Sequence, residues 1–272
     1  MKQYINILFV ISLFLWSCEE VIELKHGKAE PLLVVDGKIT DGPGPYQVKL
    51  SQTTNFNNSE NDTKVSDAEV VISDDDGNSE TLIHKGNGVY ETVNLQGAIG
   101  VTYTLDINHG GKQYEASSTL LPISKIDTLI YNFEEKVEDS TGSMVNAYRV
   151  VFVAPVTKLG QINYYSWDVY RNGRLENKLA EDIIVSSDEY FGEDIAFEFD
   201  YDFFIDDHVR VEMSSITEEV YNYFEGLDEV LENDGGLFSS PPANPPSNIS
   251  NGALGVFRAS SVTSREMTIR KP

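Results

Sequence analysis

From residue 32 onward the chain is written in short segments that alternate apolar and polar residues, each closed by Gly, Asn, Asp or Pro. Successive side chains of a strand point to opposite faces, so this pattern selects half-buried β-strands joined by tight turns. Residues 32–40 are apolar and β-branched, and Asp41-Gly42-Pro43-Gly44-Pro45 stops them. Residues 46–51 alternate with period two, 55–67 form a polar, Asn-rich loop, and 68–73 read as the next strand. Asp74-Asp75-Asp76-Gly77-Asn78 carries an Asp-Gly hairpin signature. Strand signals follow at 79–84, 88–93, 102–108 and 112–120, with Gly110-Gly111 joining the last two. About seven strands at this spacing predict an immunoglobulin-like or transthyretin-like β-sandwich over 32–122, ending near Pro122.

The second half, 123–272, predicts another β-rich domain of less regular pattern. Strand signals lie at 127–133, 147–154, 163–171 and 209–214, and Asn172-Gly173 is a hairpin turn. One amphipathic helix is expected near 217–233. Ser215 and Glu218 have capping-box spacing, Val220, Phe224, Leu227 and Leu231 share a face, and Gly235-Gly236 follows. The Pro/Asn/Ser-rich stretch 238–252 can be neither helix nor central strand, and is expected as a loop packed over the domain. A last strand at 253–262, with Gly255 inside it, is expected to complete the second sheet.

The first 31 residues set the compartment. A basic start (Lys2) precedes an apolar stretch, 5–15, which is the length of a secretory signal and short of the roughly 20 residues of a membrane-spanning helix. Leu15-Trp16-Ser17-Cys18 resembles a lipobox, with Trp16 bulkier than usual. This predicts a signal at 1–17, acylation of Cys18 and a tether over 18–31; the alternative is an ordinary signal followed by a free thiol. Cys18 is the single cysteine of the chain, so an acylated mature chain has no disulfide and no cysteine metal site. Its stability must come from core burial. The acidic cluster Glu19, Glu20 and Glu23 resembles the signal that sends Bacteroidota lipoproteins to the exterior of the outer membrane.

Charge narrows the partners. The formal net charge is −24, and removing a signal whose one charge is Lys2 makes it −25 (−24 − 1). Such a field repels phosphate backbones and anionic headgroups, which argues against nucleic acid and against a basic membrane patch.

Candidate chemistry is sparse. The four histidines, His26, His84, His109 and His208, form no close pair in sequence. Asp74, Asp76 and Asn78 alternate like the start of a calcium loop, but the glycine falls early and position 85 is Lys where a bidentate Glu is required. Glu198, Asp200 and Asp202 alternate along an extended segment, and Asp206-Asp207-His208 follow. Asp200, Asp202, Asp206 and Asp207 are therefore candidate ligands for a hard cation such as Ca²⁺; the alternative is an exposed strand face opposite Phe197, Phe199, Tyr201 and Phe203. No Gly-x-Ser-x-Gly elbow, phosphate loop or His-Glu-x-x-His motif occurs, so no catalytic residue is named. Tyr165 and Trp167 are candidates for an exposed aromatic contact with a glycan or partner protein, against the alternative that they fill the core. Asp127-Thr128-Leu129 and Asp139-Ser140-Thr141 resemble the short O-glycosylation pattern of exported Bacteroidota proteins.

Several pieces recur, in order, in one family: Asp41-Gly42-Pro43-Gly44-Pro45-Tyr46, Ser73-Asp74-Asp75-Asp76-Gly77 and Asn163-Tyr164-Tyr165-Ser166-Trp167. The ending runs from Phe238-Ser239-Ser240-Pro241-Pro242 to Asn248-Ile249-Ser250-Asn251-Gly252-Ala253-Leu254-Gly255. With the lipobox, the set resembles the Bacteroidota lipoprotein family known as domain of unknown function 4249. That resemblance implies an outer-membrane lipoprotein, often encoded beside a TonB-dependent transporter, and no catalytic residues. The expectation is a surface-facing, non-enzymatic accessory or binding subunit of such a transporter. The alternatives are a stand-alone glycan- or metal-binding lipoprotein, or a hydrolase with an acidic pair in a cleft.

Overall fold

Strand alternation in the first half places one face of each segment in a shared core. The computed structural model describes residues 30–54, 63–138, 142–177, 182–232 and 243–271. Its first strands are β1 (Leu33–Thr40), β2 (Gln47–Gln52), β3 (Thr63–Lys64), β4 (Glu69–Asp74), β5 (Ser79–Thr81), β6 (Ile83–Gly86), β7 (Val89–Glu91), β8 (Thr102–His109) and β9 (Lys112–Thr119). In β1 every second side chain is buried, from Leu33 through Val35 and Gly37 to Ile39. Residues 79–84 divide at Leu82: β5 pairs with β4, while β6 pairs with β7 in the opposite sheet. Leu82 itself points into the core at that corner. The β4–β5 turn has Gly77 at φ +91°, and the Asp74 carboxylate accepts the Asn78 backbone N–H at 2.7 Å.

The second half contributes β10 (Thr128–Glu138), β11 (Met144–Pro155), β12 (Tyr164–Arg171), β13 (Arg174–Leu175), β14 (Ile184–Ser187), β15 (Asp194–Phe203) and β16 (His208–Ile216). Helix α1 (Glu218–Leu231) follows, then β17 (Leu254–Ser260) and β18 (Val262–Thr268). Sheet β10-β11-β15 faces sheet β13-β12-β16-β18, with β14 also on β12, and an aromatic core of Phe152, Trp167, Phe197 and Phe199 lies between them. Phe152 stacks on Phe199 at 5.6 Å between centroids, and Trp167 meets Phe197 edge-on at 4.8 Å.

The last strand differs from its expected place. The stretch 253–262 does not complete the second sheet as one strand but is divided at Ser261. β17 runs parallel to β1 and forms the edge of the first sheet, in the order β17-β1-β2-β7-β6. β18 pairs with β16 in the second half. The division is held by hydrogen bonds: the Ser215 hydroxyl donates to the Leu121 carbonyl at 2.7 Å and accepts from the Ser261 N–H at 3.0 Å. The Asp41 carboxylate accepts the Val262 N–H at 2.9 Å. Ser215 is thus buried in β16 rather than capping the helix, whose N-cap is Thr217 with no side-chain cap bond. Glu218 and Glu219 still place negative charge at the positive end of the helix dipole. Gly235-Gly236 lies outside the described residues.

The loop before β17 is structural cement. The Asn248 side chain accepts the Phe257 N–H at 3.0 Å and donates to the Phe257 carbonyl at 2.7 Å, while Ser247 Oγ donates to the Gly255 carbonyl at 2.8 Å. Those bonds satisfy the outer edge of β17, which would otherwise present unpaired backbone. Ser250 then bonds both backbone groups of Glu115 on β9, linking the open edges of the two facing sheets. From Pro31 onward the chain forms one compact unit.

Candidate functional site

β1 and β17 are in parallel register, with Lys38 opposite Arg258 on the face turned away from the core. Val256 on that face packs against Ile216, Val220 and Phe224, so α1 covers part of the sheet. β12 brings its own outward residues, Ser166 and Asp168, from the other half, and β14 brings Ile184 and Val185. Between these elements lies a cavity of about 190 Å³. Leu175, Ile183, Ile184, Val185 and Phe224 supply its apolar wall, and Lys38, Arg258, Asp168 and Asp182 its charged groups. Lys38 and Arg258 also border a second hollow of about 360 Å³ on the first sheet, with Asp36, Tyr46 and Lys49.

The two cations are the unusual feature. Among the described residues neither makes an ion pair, and the Arg258 Nη1 atom is buried with no hydrogen-bond partner. The Arg258 guanidinium lies 5.2 Å from the centre of the Phe224 ring, a cation–π contact that orients it without neutralising it. Burial holds Lys38 below the ordinary lysine value, and the Arg258 charge beside it pushes the same way; Asp168 and Asp36 oppose this in part. Asp36 pairs with Lys49 at 3.6 Å. Asp182 is hydrogen-bonded by the Tyr201 hydroxyl, whose pKa is pushed far up by burial and then by that carboxylate. Tyr223 is also raised, by burial first and then by Asp36.

The sequence-derived candidates fall elsewhere. Tyr165 and Trp167 are each 1% exposed, so the exposed aromatic patch is corrected to a core role. Their face of β12 points at the opposite sheet, and the Tyr165 hydroxyl donates to Asp188 at 3.1 Å. The cation reading of Asp200, Asp202, Asp206 and Asp207 is likewise corrected. Arg149, on the neighbouring strand, lies against both Asp200 and Asp202, at 3.2 Å from the latter. Asp207 accepts from Asn172 Nδ2 at 2.7 Å and from the Phe204 N–H at 2.9 Å, which fixes the turn before β16. Asp206 occupies that turn, exposed, with φ +72°. Among the described residues no group of three or more His, Cys, Asp or Glu side chains is placed to hold a metal. Cys18, Glu19, Glu20 and Glu23 lie outside the described residues, as does Asp139-Ser140-Thr141.

Lys38 and Arg258 were not singled out by sequence. The available signal was a cation inside each of two strongly apolar strand runs, Val34-Val35-Asp36-Gly37-Lys38-Ile39 and Val256-Phe257-Arg258-Ala259. Their juxtaposition depends on the β1–β17 pairing, which neither run announces.

Comparison with protein-family models matches residues 19–266 to a family described as Domain of unknown function (DUF4249). No curated protein matches the chain.

Proposed function

We propose that this chain, which belongs to the DUF4249 family, is a lipid-anchored, non-enzymatic binding protein serving as accessory subunit of a TonB-dependent outer-membrane nutrient transporter. The observation that carries the reading is the cavity at Lys38 and Arg258. It is bounded by both β halves and the helix, and among the described residues neither of its cations makes an ion pair, with the Arg258 Nη1 atom buried and without a hydrogen-bond partner. A preformed concave site with a few convergent polar groups on an apolar wall is the usual form of a ligand pocket. Among the described residues that line it there is no histidine or cysteine, and Ser166 is the one hydroxyl side chain.

The anchor belongs to the same reading. Acylation at Cys18 would attach the protein by two or more chains, which holds firmly where one chain holds marginally. Glu19, Glu20 and Glu23 would direct it to the cell exterior. No helix among the described residues is long and apolar enough to cross a membrane. A short tether beside a barrel would raise the effective concentration of a weak protein contact.

The test is a mild-detergent pull-down of the tagged full-length protein with a Cys18→Ala control, read by mass spectrometry. A stoichiometric TonB-dependent barrel that disappears with the lipid is the expected result. Recovery of the lipoprotein alone would replace the accessory role with that of a stand-alone binding lipoprotein.

A further inference from the structure

We propose that the cavity beside Lys38 and Arg258 binds a small organic monocarboxylate with a short apolar tail. This deepens the binding reading above by naming the ligand's chemical class. The charge argument comes first. In a chain with 44 acidic and 20 basic residues, Lys38 and Arg258 stand opposite each other at a cavity without an ion pair among the described residues, and Asp168 and Asp36 offset the Lys38 charge only in part. Placing two like charges side by side and partly out of water opposes folding, so the arrangement is explained by an anion that completes it. Arg258 supplies the donor. Its Nη1 is buried and unpartnered, and the guanidinium lies 5.2 Å from the centre of the Phe224 ring; a carboxylate is the acceptor that such a donor pairs with most strongly.

Size and surroundings narrow the class. At about 190 Å³ the cavity is smaller than the roughly 300–1,000 Å³ of drug-sized sites, which selects a small acid. Leu175, Ile183, Ile184 and Val185 offer a branched apolar wall for a short hydrocarbon body. Asp168 and Asp182 stand in the same lining, so a dianion such as phosphate would meet two carboxylates along with its two cations. A monoanion draws on the cations with half that repulsion.

The experiment uses the full-length protein in mild detergent, with melting temperature followed against isovalerate, its neutral isostere isovaleramide, and inorganic phosphate. Isovalerate is expected to raise the melting temperature with concentration, as mass action requires of a ligand bound by the native state alone. Isovaleramide and phosphate are expected to leave it unchanged. Arg258→Gln and Lys38→Met should each weaken the isovalerate response at least tenfold in concentration, while Lys125→Gln, at an exposed position, keeps it. Lys38→Met guards against misfolding, because removing a half-buried cation without an ion pair should leave a folded protein. An equal response to isovaleramide, a response to phosphate alone, a wild-type response retained in folded Lys38→Met, or no response to isovalerate would each overturn the proposal. Because the purified protein needs no partner for this measurement, failure here leaves the barrel pull-down intact, and the reverse.

Discussion

Lys38 separates folding from binding within a single side chain. Its ammonium lies beside Arg258 with no ion pair among the described residues, and burial depresses its pKa. In the window between the depressed folded value and the ordinary lysine value of about 10.4, the unfolded chain binds more protons than the folded one. Stability from this residue therefore rises with pH across that window, and the penalty is fully present below the folded value. Lys38→Met keeps the length of the side chain and removes the charge. It should stabilise the ligand-free protein by roughly 1–2 kcal/mol at neutral pH, in urea denaturation against wild type. The gain should shrink as both proteins are measured nearer pH 10. A variant less stable than wild type at neutral pH would mean that Asp168 and Asp36 already balance the charge. Arg149 shows the opposite case. Its guanidinium lies against Asp200 and Asp202, so an acidic alternation that suggested a cation site is answered by a cation of the chain itself.

At the scale of elements, the strand β17 depends on one glycine and one asparagine. Gly255 has φ +96°, and a Cβ there would lie 2.8 Å from the Val35 carbonyl carbon and closer still to its oxygen. Gly255→Ala must separate β17 from β1 or strain the backbone, and should cost about 3 kcal/mol or more by chemical denaturation. Asn248→Ala leaves both backbone groups of the buried residue Phe257 without their partners and should cost about 2–3 kcal/mol. A loss under about 0.5 kcal/mol would show that water replaces the asparagine without penalty. These two residues also mark the limit of sequence reading. Period-two alternation located most strands because it is local. The parallel partner of β1 lies near the other end of the chain, and alternation carries no information about which distant edge a strand will join. Gly255 was visible as a glycine within a strand pattern, and its reason, the approach of the Val35 carbonyl, appears only when the two strands meet. The cavity shares that origin. Lys38 and Arg258 become neighbours through the same pairing, so a site built on it could not be read before the pairing was known. Tyr165 and Trp167, by contrast, share one face of β12 by period two alone, and only the direction in which that face looks depends on the rest of the fold.

At the scale of the molecule, β17 decides how the halves depend on each other. The first core includes Ile249, Ala253, Phe257 and Ala259 beside residues of β1, β2, β4 and β8. A segment from the end of the chain thus completes a core begun near its start. Ser261 then passes directly to β18 in the second half, with Ser215 bonded to both Leu121 and Ser261 at the crossing. Residues 30–122 alone would lack one sheet edge and four core side chains, and would expose the β1 backbone where β17 pairs with it. That fragment is expected to show no cooperative thermal transition. The same fragment carrying residues 243–260 through a flexible linker is expected to recover one, because the linker restores β17 at high effective concentration. A cooperative transition in the bare fragment would make β17 an accessory to an autonomous sandwich. Absence of a transition in the linked fragment would mean that the first half also needs the second sheet and α1 against its outer face. In either event the Lys38–Arg258 pair exists only where both strands are present, so the ligand response must follow the pairing and not either strand alone.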